Sequence, residues 1–180
     1  MTSNSKPNLL IVDDEADLRE LLVEQIGSEN YEIHTASDGA QGLQMIRDAH
    51  AKGAPIDAVL SDINMPKLNG LDLLAEVRKH GLETPFVFLT GYGDKEKAVR
   101  ALRLGAQDFL EKPYDVTQLV RSIEAATRYG TLLRGMDAEL KAVMEAAAKL
   151  PPEQADDYIR ARKALIIMKK QNLATIKKAS

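Results

Sequence analysis

Acidic side chains end two short apolar runs of the sequence, and a hydroxyl and an ammonium group end two others. The residues concerned are Asp13 with Asp14, Asp62, Thr90 and Lys112. Carboxylates that crowd together repel one another, and burial raises the cost of ionising them. A hard divalent cation relieves that cost, and oxygen ligands without His or Cys favour Mg²⁺. We therefore expect a magnesium site if the fold brings these residues together.

The same set of residues suits phosphoryl transfer. A magnesium ion with open coordination positions beside a lysine can receive phosphoryl oxygens and stabilise their charge. A carboxylate can itself act as the nucleophile and form an aspartyl phosphate.

Five short apolar runs alternate with longer segments in which apolar residues recur every three to four positions. The runs cover 8–12, 31–35, 57–61, 85–90 and 108–112. Three of them are nearly continuous hydrophobes, as in parallel strands covered by helices on both faces. Five βα units in about 125 residues predict a doubly wound parallel sheet, because an eight-unit barrel needs about 250 residues. Such sheets bind ligands at the carboxyl ends of their strands, where the acidic residues lie.

Capping residues are predicted for several of the helices between the strands. Ser37 is expected to be the N-cap of the second helix. Gly27, Gly81 and Gly105 stand where helices should stop.

Four motifs then lead to a known family. In order, they are LLIVDDE, VLSDINMPKLNG, FLTGYGD and FLEKPYD. Together they resemble the receiver domain of two-component response regulators over about residues 7–130, whereas any one alone would be a weak signal. The resemblance implies a CheY-like (flavodoxin-like) five-stranded sheet of order 2-1-3-4-5.

The resemblance also implies roles for the acidic residues. Asp62 would be the phosphoacceptor. Asp14 would bind Mg²⁺ directly, and Asp13 would bind it through water. Asp62 and the backbone carbonyl of Asn64 would complete the protein ligands.

Four further residues receive roles by the same resemblance. Thr90 would hydrogen-bond a phosphoryl oxygen, and Lys112 would pair with the phosphoryl group. Pro113 would follow a cis peptide bond. Thr90 and Phe109 would form the switch that biases the face made by the fourth helix, fifth strand and fifth helix, although Phe109 lacks a hydroxyl group and also suits the core.

Taken singly, these residues have simpler structural explanations. Asp14 could cap a helix, and Asp62 could begin a turn. Thr90 could merely end a strand, and Lys112 could be a solvated surface residue. Their joint occurrence at the expected strand ends favours the functional interpretation.

Composition excludes several classes of protein. The chain has 180 residues, no cysteine and a net charge of -3. Disulfides and thiolate metal sites are therefore excluded. The N-terminal apolar run is too short for a signal peptide or a membrane span, so we expect a cytoplasmic protein.

The last fifty residues differ in charge, with -7 over 1–130 and +4 over 131–180. Apolar residues from Leu132 to Ala147 predict one helix, and PPE at 151–153 suits the start of another. From Ile159 to Ser180 there are seven Lys and Arg residues and no acid. Three interpretations remain open: a hairpin docked on the chain itself, a homodimerisation element, and a DNA-binding tail.

The sequence thus predicts a phosphorylation-dependent switch, not an enzyme, with slow self-dephosphorylation. Its partner would be a histidine kinase or a histidine phosphotransfer protein, and no membrane contact is expected. The alternative is a DNA-binding transcriptional response regulator acting through residues 131–180. An aspartyl-phosphate phosphatase is disfavoured because Asn64 stands where its general acid is needed. A flavin-binding protein is disfavoured because the acids would repel a flavin phosphate.

Overall fold

The computed structural model of the chain describes residues 6–91 and 95–179. Five strands and six helices alternate along it. They are β1 (Asn8–Val12), α1 (Ala16–Ile26), β2 (Glu32–Ala36), α2 (Gly39–Ala51), β3 (Ala58–Asp62), α3 (Gly70–Lys79), β4 (Phe86–Thr90), α4 (Lys95–Arg103), β5 (Asp108–Glu111), α5 (Val116–Ala147) and α6 (Pro152–Ala179). The chain divides into two compact units, Met1–Thr131 and Leu132–Ser180.

The first unit contains one parallel sheet of order β2-β1-β3-β4-β5. The predicted doubly wound fold and strand order are therefore confirmed. The register sets Asp62 of β3 against Leu89 of β4, and Thr90 against Glu111 of β5. Because all strands run in one direction, their carboxyl ends share one edge of the sheet.

Alternating side chains of the central strands enter two separate apolar layers. Leu10 and Val12 of β1 join one layer, and Leu9 and Ile11 join the other. This alternation follows from the two-residue period of a strand. All four side chains are fully buried, which explains why residues 9–12 include no polar residue.

Glycines with positive φ angles follow three of the helices, as the sequence predicts. Their φ angles are 79° at Gly27, 72° at Gly81 and 82° at Gly105. The prediction that Ser37 caps α2 is wrong by one residue. Asp38 is the N-cap, and its Oδ1 accepts the Gln41 N–H at 2.9 Å. Ser and Asp both cap well, so local preference did not distinguish the two neighbours.

Helix α5 spans the division between the units, because the division falls after Thr131 and the helix ends at Ala147. In the first unit it passes close to the start of β3. A Cβ on Gly130 would lie 1.7 Å from the carbonyl oxygen of Asp57, so no side chain fits there.

The second unit contains the last part of α5 and all of α6. The helices are joined by ion pairs that include Lys169 with Glu139 at 2.9 Å and Lys170 with Asp137 at 3.0 Å. The paired positions run in opposite directions along the chain, so the two helices are antiparallel. Helix α6 begins at Pro152, a position where the missing N–H costs nothing. Among the described residues, no helix is long and apolar enough to cross a membrane.

Candidate functional site

Four of the predicted site residues lie at the carboxyl ends of strands, at one edge of the sheet. Asp13 follows β1, Asp62 ends β3, Thr90 ends β4 and Lys112 follows β5. Asp13 and Thr90 are each 1 % exposed, and Asp62 is 7 % exposed. Three polar groups are therefore buried at one edge, where the loops rather than the strands must satisfy them.

Lys112 is the cation of this site. Its Nζ lies 2.9 Å from Asp62 Oδ1 and 3.7 Å from Asp13 Oδ2. Burial alone would lower the pKa of Lys112, but the hydrogen bond and charge of Asp62 and the charge of Asp13 outweigh it and raise that pKa. The ammonium group is therefore held in its charged form between two carboxylates. A solvated surface position, the simpler explanation for this lysine, does not describe its surroundings.

The surroundings of Asp13 disfavour the charged form of its carboxyl group. Its Oδ1 accepts the Glu15 N–H at 2.8 Å, while its buried Oδ2 accepts no hydrogen bond from the described residues. Burial raises the pKa of Asp13, and the negative charges of Asp62 and Asp14 add to the rise. A buried carboxylate oxygen without a donor is costly.

The loop between β3 and α3 is folded back onto Asp62. The Asn64 N–H donates to Asp62 Oδ2 at 2.6 Å. The Gly70 N–H donates to the Ile63 carbonyl at 3.0 Å, which closes the loop. A Cβ on Gly70 would lie 2.2 Å from the Asp62 carbonyl oxygen, so this close return requires glycine.

The predicted magnesium ligands are only partly gathered by side chains. Among residues 6–91 and 95–179, no three acidic or histidine side chains form a metal cluster by themselves. Asp14 and Asn64 are exposed, whereas Asp13 and Asp62 are buried. Mg²⁺ needs only one or two carboxylates together with carbonyl oxygen and water. Asp13 Oδ2, which is buried and accepts no hydrogen bond from the described residues, is an oxygen that could bind such a cation.

The remaining predicted residues lie along β4 and β5. The Lys112 N–H donates to the Thr90 carbonyl at 2.8 Å, so the backbone ties these two site residues together. Phe109 is half-buried and packs against the core layer that contains Phe88. Pro113 is exposed, and its peptide bond with Lys112 is cis.

Sequence reasoning missed a second cation near the loop. Lys97 of α4 donates to Asn64 Oδ1 at 2.6 Å. One turn further along α4, Arg100 pairs with Asp72 of α3 at 2.9 Å. These contacts join residues 33 and 28 positions apart, so no local pattern indicates them.

A second missed contact anchors the same loop to α2. Lys67 pairs with Asp38 at 2.5 Å. Lys67 has a φ of 64°, which is uncommon for a residue with a side chain. A Cβ on Gly39 would lie 2.2 Å from the Leu68 carbonyl oxygen, so the loop and α2 are in tight contact.

A known protein family and individual proteins match most of this chain. A family model for the response regulator receiver domain matches residues 9–124. The regulatory protein AtoC of Escherichia coli is 36 % identical over 138 residues, which cover 77 % of this chain and 28 % of AtoC. The transcriptional regulatory protein CpxR of the same species is 38 % identical over 120 residues, covering 67 % and 49 % respectively.

A solved structure is similar over the same part of the chain. The response regulator receiver domain protein from Clostridium thermocellum has a TM-score of 0.64 and 31 % identity. That similarity covers 71 % of this chain and 98 % of the other. By contrast, this chain spans less than two thirds of the length of the AtoC and CpxR proteins.

Proposed function

The chain belongs to the response regulator receiver family of two-component systems, and from that premise we propose that Asp62 accepts a phosphoryl group from a partner histidine kinase or histidine phosphotransfer protein. The remainder of the chain then relays the phosphorylated state. The cytoplasmic location expected from the sequence belongs to the same proposal.

One observation carries this proposal. The Asp62 carboxylate is buried, yet both oxygens receive a donor, Lys112 Nζ at 2.9 Å and the Asn64 N–H at 2.6 Å. Donors aimed at a carboxylate from two sides also suit the phosphoryl oxygens that a transferred group would bring. Positioning and charge stabilisation are most of what phosphoryl transfer requires from a protein.

The transfer step balances with the partner's phosphohistidine as donor. An Asp62 carboxylate oxygen forms the new O–P bond as the N–P bond of the phosphohistidine breaks. The imidazole nitrogen keeps the bonding electron pair. Lys112 remains protonated throughout, consistent with its raised pKa, and pairs with the phosphoryl oxygens.

Asp13 and Asp62, with the Asn64 carbonyl and Asp14, are the residues that would hold Mg²⁺. When bound, the ion supplies positive charge for the phosphoryl oxygens. Asp13 supports this assignment because its Oδ2 is buried and lacks a hydrogen-bond donor.

Relay of the state would start at Thr90 and Phe109. Thr90 would turn toward the phosphoryl group, and Phe109 would follow into the space behind it. Phosphorylation would then shift a two-state population, limited by its differential contacts with the two states. Slow self-dephosphorylation would end the signal.

Incubation of the full chain with acetyl phosphate and Mg²⁺ tests the proposal. Intact-mass measurement should show the addition of one phosphoryl group, and Asp62→Asn should abolish it. Asp48→Asn is the matched control, because Asp48 is an exposed acid of α2. Equal labelling of Asp62→Asn and the wild type would contradict the assignment of Asp62.

A second candidate function is transcriptional regulation through DNA. The favouring observations are the relatives named as transcriptional regulators and the acid-free, basic segment after Ile159. Phosphate contacts by Lys and Arg make DNA affinity fall steeply with salt. Fluorescence anisotropy with duplex DNA at several salt concentrations tests this candidate. The variant Arg160→Gln/Arg162→Gln/Lys163→Gln should then bind more weakly than the wild type.

A further inference from the structure

We propose that Lys97 of α4 is a positioning residue for the phosphoryl chemistry at Asp62, and that it acts by holding Asn64. This inference deepens the proposed function and rests on it. The proposed transfer step uses groups that follow β1, β3 and β5, so Lys97 adds a helix to the elements that control it.

Asn64 is bonded both to the nucleophile and to α4. Its backbone N–H donates to Asp62 Oδ2 at 2.6 Å, and its side-chain Oδ1 accepts from Lys97 Nζ, also at 2.6 Å. Both distances are short for N–H···O hydrogen bonds, as expected when one partner carries a charge. Two consecutive hydrogen bonds therefore connect the Lys97 ammonium group with the Asp62 carboxylate.

The conformation of the loop explains why the side chain of Asn64 needs such a contact. Ile63 and Met65, on either side of Asn64, are buried with 1 % and 8 % exposure, whereas Asn64 is exposed. The Asn64 side chain thus points away from the core, where packing does not fix its rotamer. An exposed side chain keeps its conformational freedom unless a contact restricts it. The hydrogen bond from Lys97 restricts it on the side of the loop that faces α4.

Helix α4 is anchored independently of Asn64. Ala98 and Ala101 are buried, with 5 % and 0 % exposure, and Ala101 packs in one of the two apolar layers. Because these contacts fix the helix, Lys97, which is itself partly buried, reaches the loop from a fixed position. The helix can therefore determine where Asn64 lies.

Arg100 provides an ordinary surface contact of the same helix for comparison. It pairs with Asp72 at 2.9 Å, and the two side chains are 57 % and 43 % exposed. Exposed ion pairs of this kind contribute little to stability. Asp72 in turn bonds to Asn69 at the start of α3. Lys97 differs from Arg100 because the residue that it holds is itself bonded to the nucleophile.

The chemical consequence follows from the orientation of the nucleophile. Phosphoryl transfer requires the attacking oxygen to lie in line with the bond that breaks. The Asn64 N–H orients the Asp62 carboxylate, and the carbonyl of Asn64 is one of the proposed Mg²⁺ ligands. A displacement of Asn64 by about 1 Å would disturb both and could slow the reaction about a hundredfold. Loss of one of the contacts that hold the loop should cost less, about threefold to tenfold.

Nuclear magnetic resonance of the ¹⁵N-labelled full chain tests the positioning step without any phosphoryl group. A short hydrogen bond to a carboxylate moves an amide proton resonance downfield, so the Asn64 N–H reports its contact with Asp62. Lys97→Met should move this resonance upfield, and Lys97→Arg, which keeps a charged donor, should retain most of the wild-type shift. Arg100→Met is the matched control, because it removes another cation of α4, and it should leave the resonance in place.

Labelling with acetyl phosphate and Mg²⁺ tests the consequence for the chemistry. Intact-mass measurements over time should show that Lys97→Met gains the phosphoryl group about threefold to tenfold more slowly than the wild type at saturating acetyl phosphate. Lys97→Arg and Arg100→Met should remain within about twofold of the wild type. The acetyl phosphate concentration that gives half the maximal rate should change little, because Lys97 orients the nucleophile and does not bind the donor.

A double-mutant cycle separates positioning through Asn64 from a direct effect of the Lys97 charge. If Lys97 acts through Asn64, Lys97→Met should slow labelling of the wild type but not of Asn64→Ala. A direct attraction between the ammonium group and the phosphoryl oxygens would persist in the Asn64→Ala background. Persistence of the effect there would overturn the proposal.

Failure of this inference can be distinguished from failure of the proposed function. A wild-type chain that takes up no phosphoryl group contradicts the proposed function, and the role of Lys97 falls with it. If the wild type is labelled and Lys97→Met is labelled at the same rate, Asp62 stays the phosphoacceptor and Lys97 loses its role. Equal slowing by Lys97→Met and Arg100→Met would identify the packing of α4, and not the contact with Asn64, as the cause. An Asn64 resonance that Lys97→Met leaves in place would equally contradict the proposal.

Discussion

The two units of this chain bury their apolar side chains to very different extents. Among the described residues, thirty buried and four large exposed apolar side chains lie before Leu132, against five buried and five large exposed ones from Leu132 onward. A sheet covered on both faces has an interior, whereas two antiparallel helices leave most of each helix at the surface. The first unit can therefore hold a buried charged site, and the second unit is suited to offering a surface.

The largest difference is expected from matched leucine truncations. Leu73→Ala removes a side chain with 0 % exposure from the core of the first unit and should cost about 2–5 kcal/mol of unfolding free energy. Leu165→Ala in α6 truncates a side chain that is 49 % exposed and should cost less than about 1 kcal/mol. Urea unfolding at low protein concentration measures both, and similar costs would contradict the comparison.

Two glycines of α5 sharpen the comparison within a single helix. Gly130→Ala places a Cβ against the Asp57 carbonyl and should destabilise the first unit by about 3 kcal/mol. Gly135→Ala meets nothing within 4 Å and should stabilise the helix by up to about 1 kcal/mol. Thermal unfolding followed by circular dichroism should show shifts of opposite sign.

The smallest effect is expected at the ion pair between Asp38 and Lys67. The Asp38 carboxylate accepts hydrogen bonds from the Lys67 ammonium group and from the Gln41 N–H, and these two bonds hold the pKa of Asp38 below its usual range. The resulting stability is present above the unfolded-state pKa of about 4, and is lost as the pH falls through the lower folded-state pKa. Asp38→Asn keeps a good N-cap but cannot titrate.

The measurement is the difference in unfolding free energy between wild type and Asp38→Asn as a function of pH. That difference should be constant at neutral pH and shrink only below about pH 4. Asp48→Asn, which alters an exposed acid of the same helix, serves as the control for general acid effects. A difference that grew as the pH fell would show that the folded state raises the pKa of Asp38.

Fold class followed from the sequence because its signals are local and repeated. The nearly continuous apolar run at 8–12 predicts a strand buried on both faces, and β1 is buried on both faces from Leu9 to Val12. Gly27 predicts a helix end, and α1 ends beside it with a φ of 79° at the glycine. The cap of α2 was misplaced because Ser37 and Asp38 have nearly equal capping preferences, and only the fold decides which side chain reaches the Gln41 N–H.

The candidate site likewise contains residues that the sequence identifies and residues that only the structure reveals. Asp62, Thr90 and Lys112 could be named from motifs, because each stands at a strand end and those ends meet at one edge of a parallel sheet. Lys67, Lys97 and Arg100 could not be named from the sequence, because the acid or amide that each one contacts is 28 to 33 residues away along the chain. Nothing near a surface lysine in the sequence shows which acid it meets.

The sequence by itself determined the order of strands and helices along the chain, the sheet edge that carries the acids and the change in charge after residue 130. These depend on periodicity, caps and composition, which act within a few residues. Only the tertiary structure decided that Lys112 lies between Asp13 and Asp62, that Gly130 must lack a side chain, and that α6 presents Met168 outward. Those facts depend on which distant segments are packed together, and packing is a property of the whole chain.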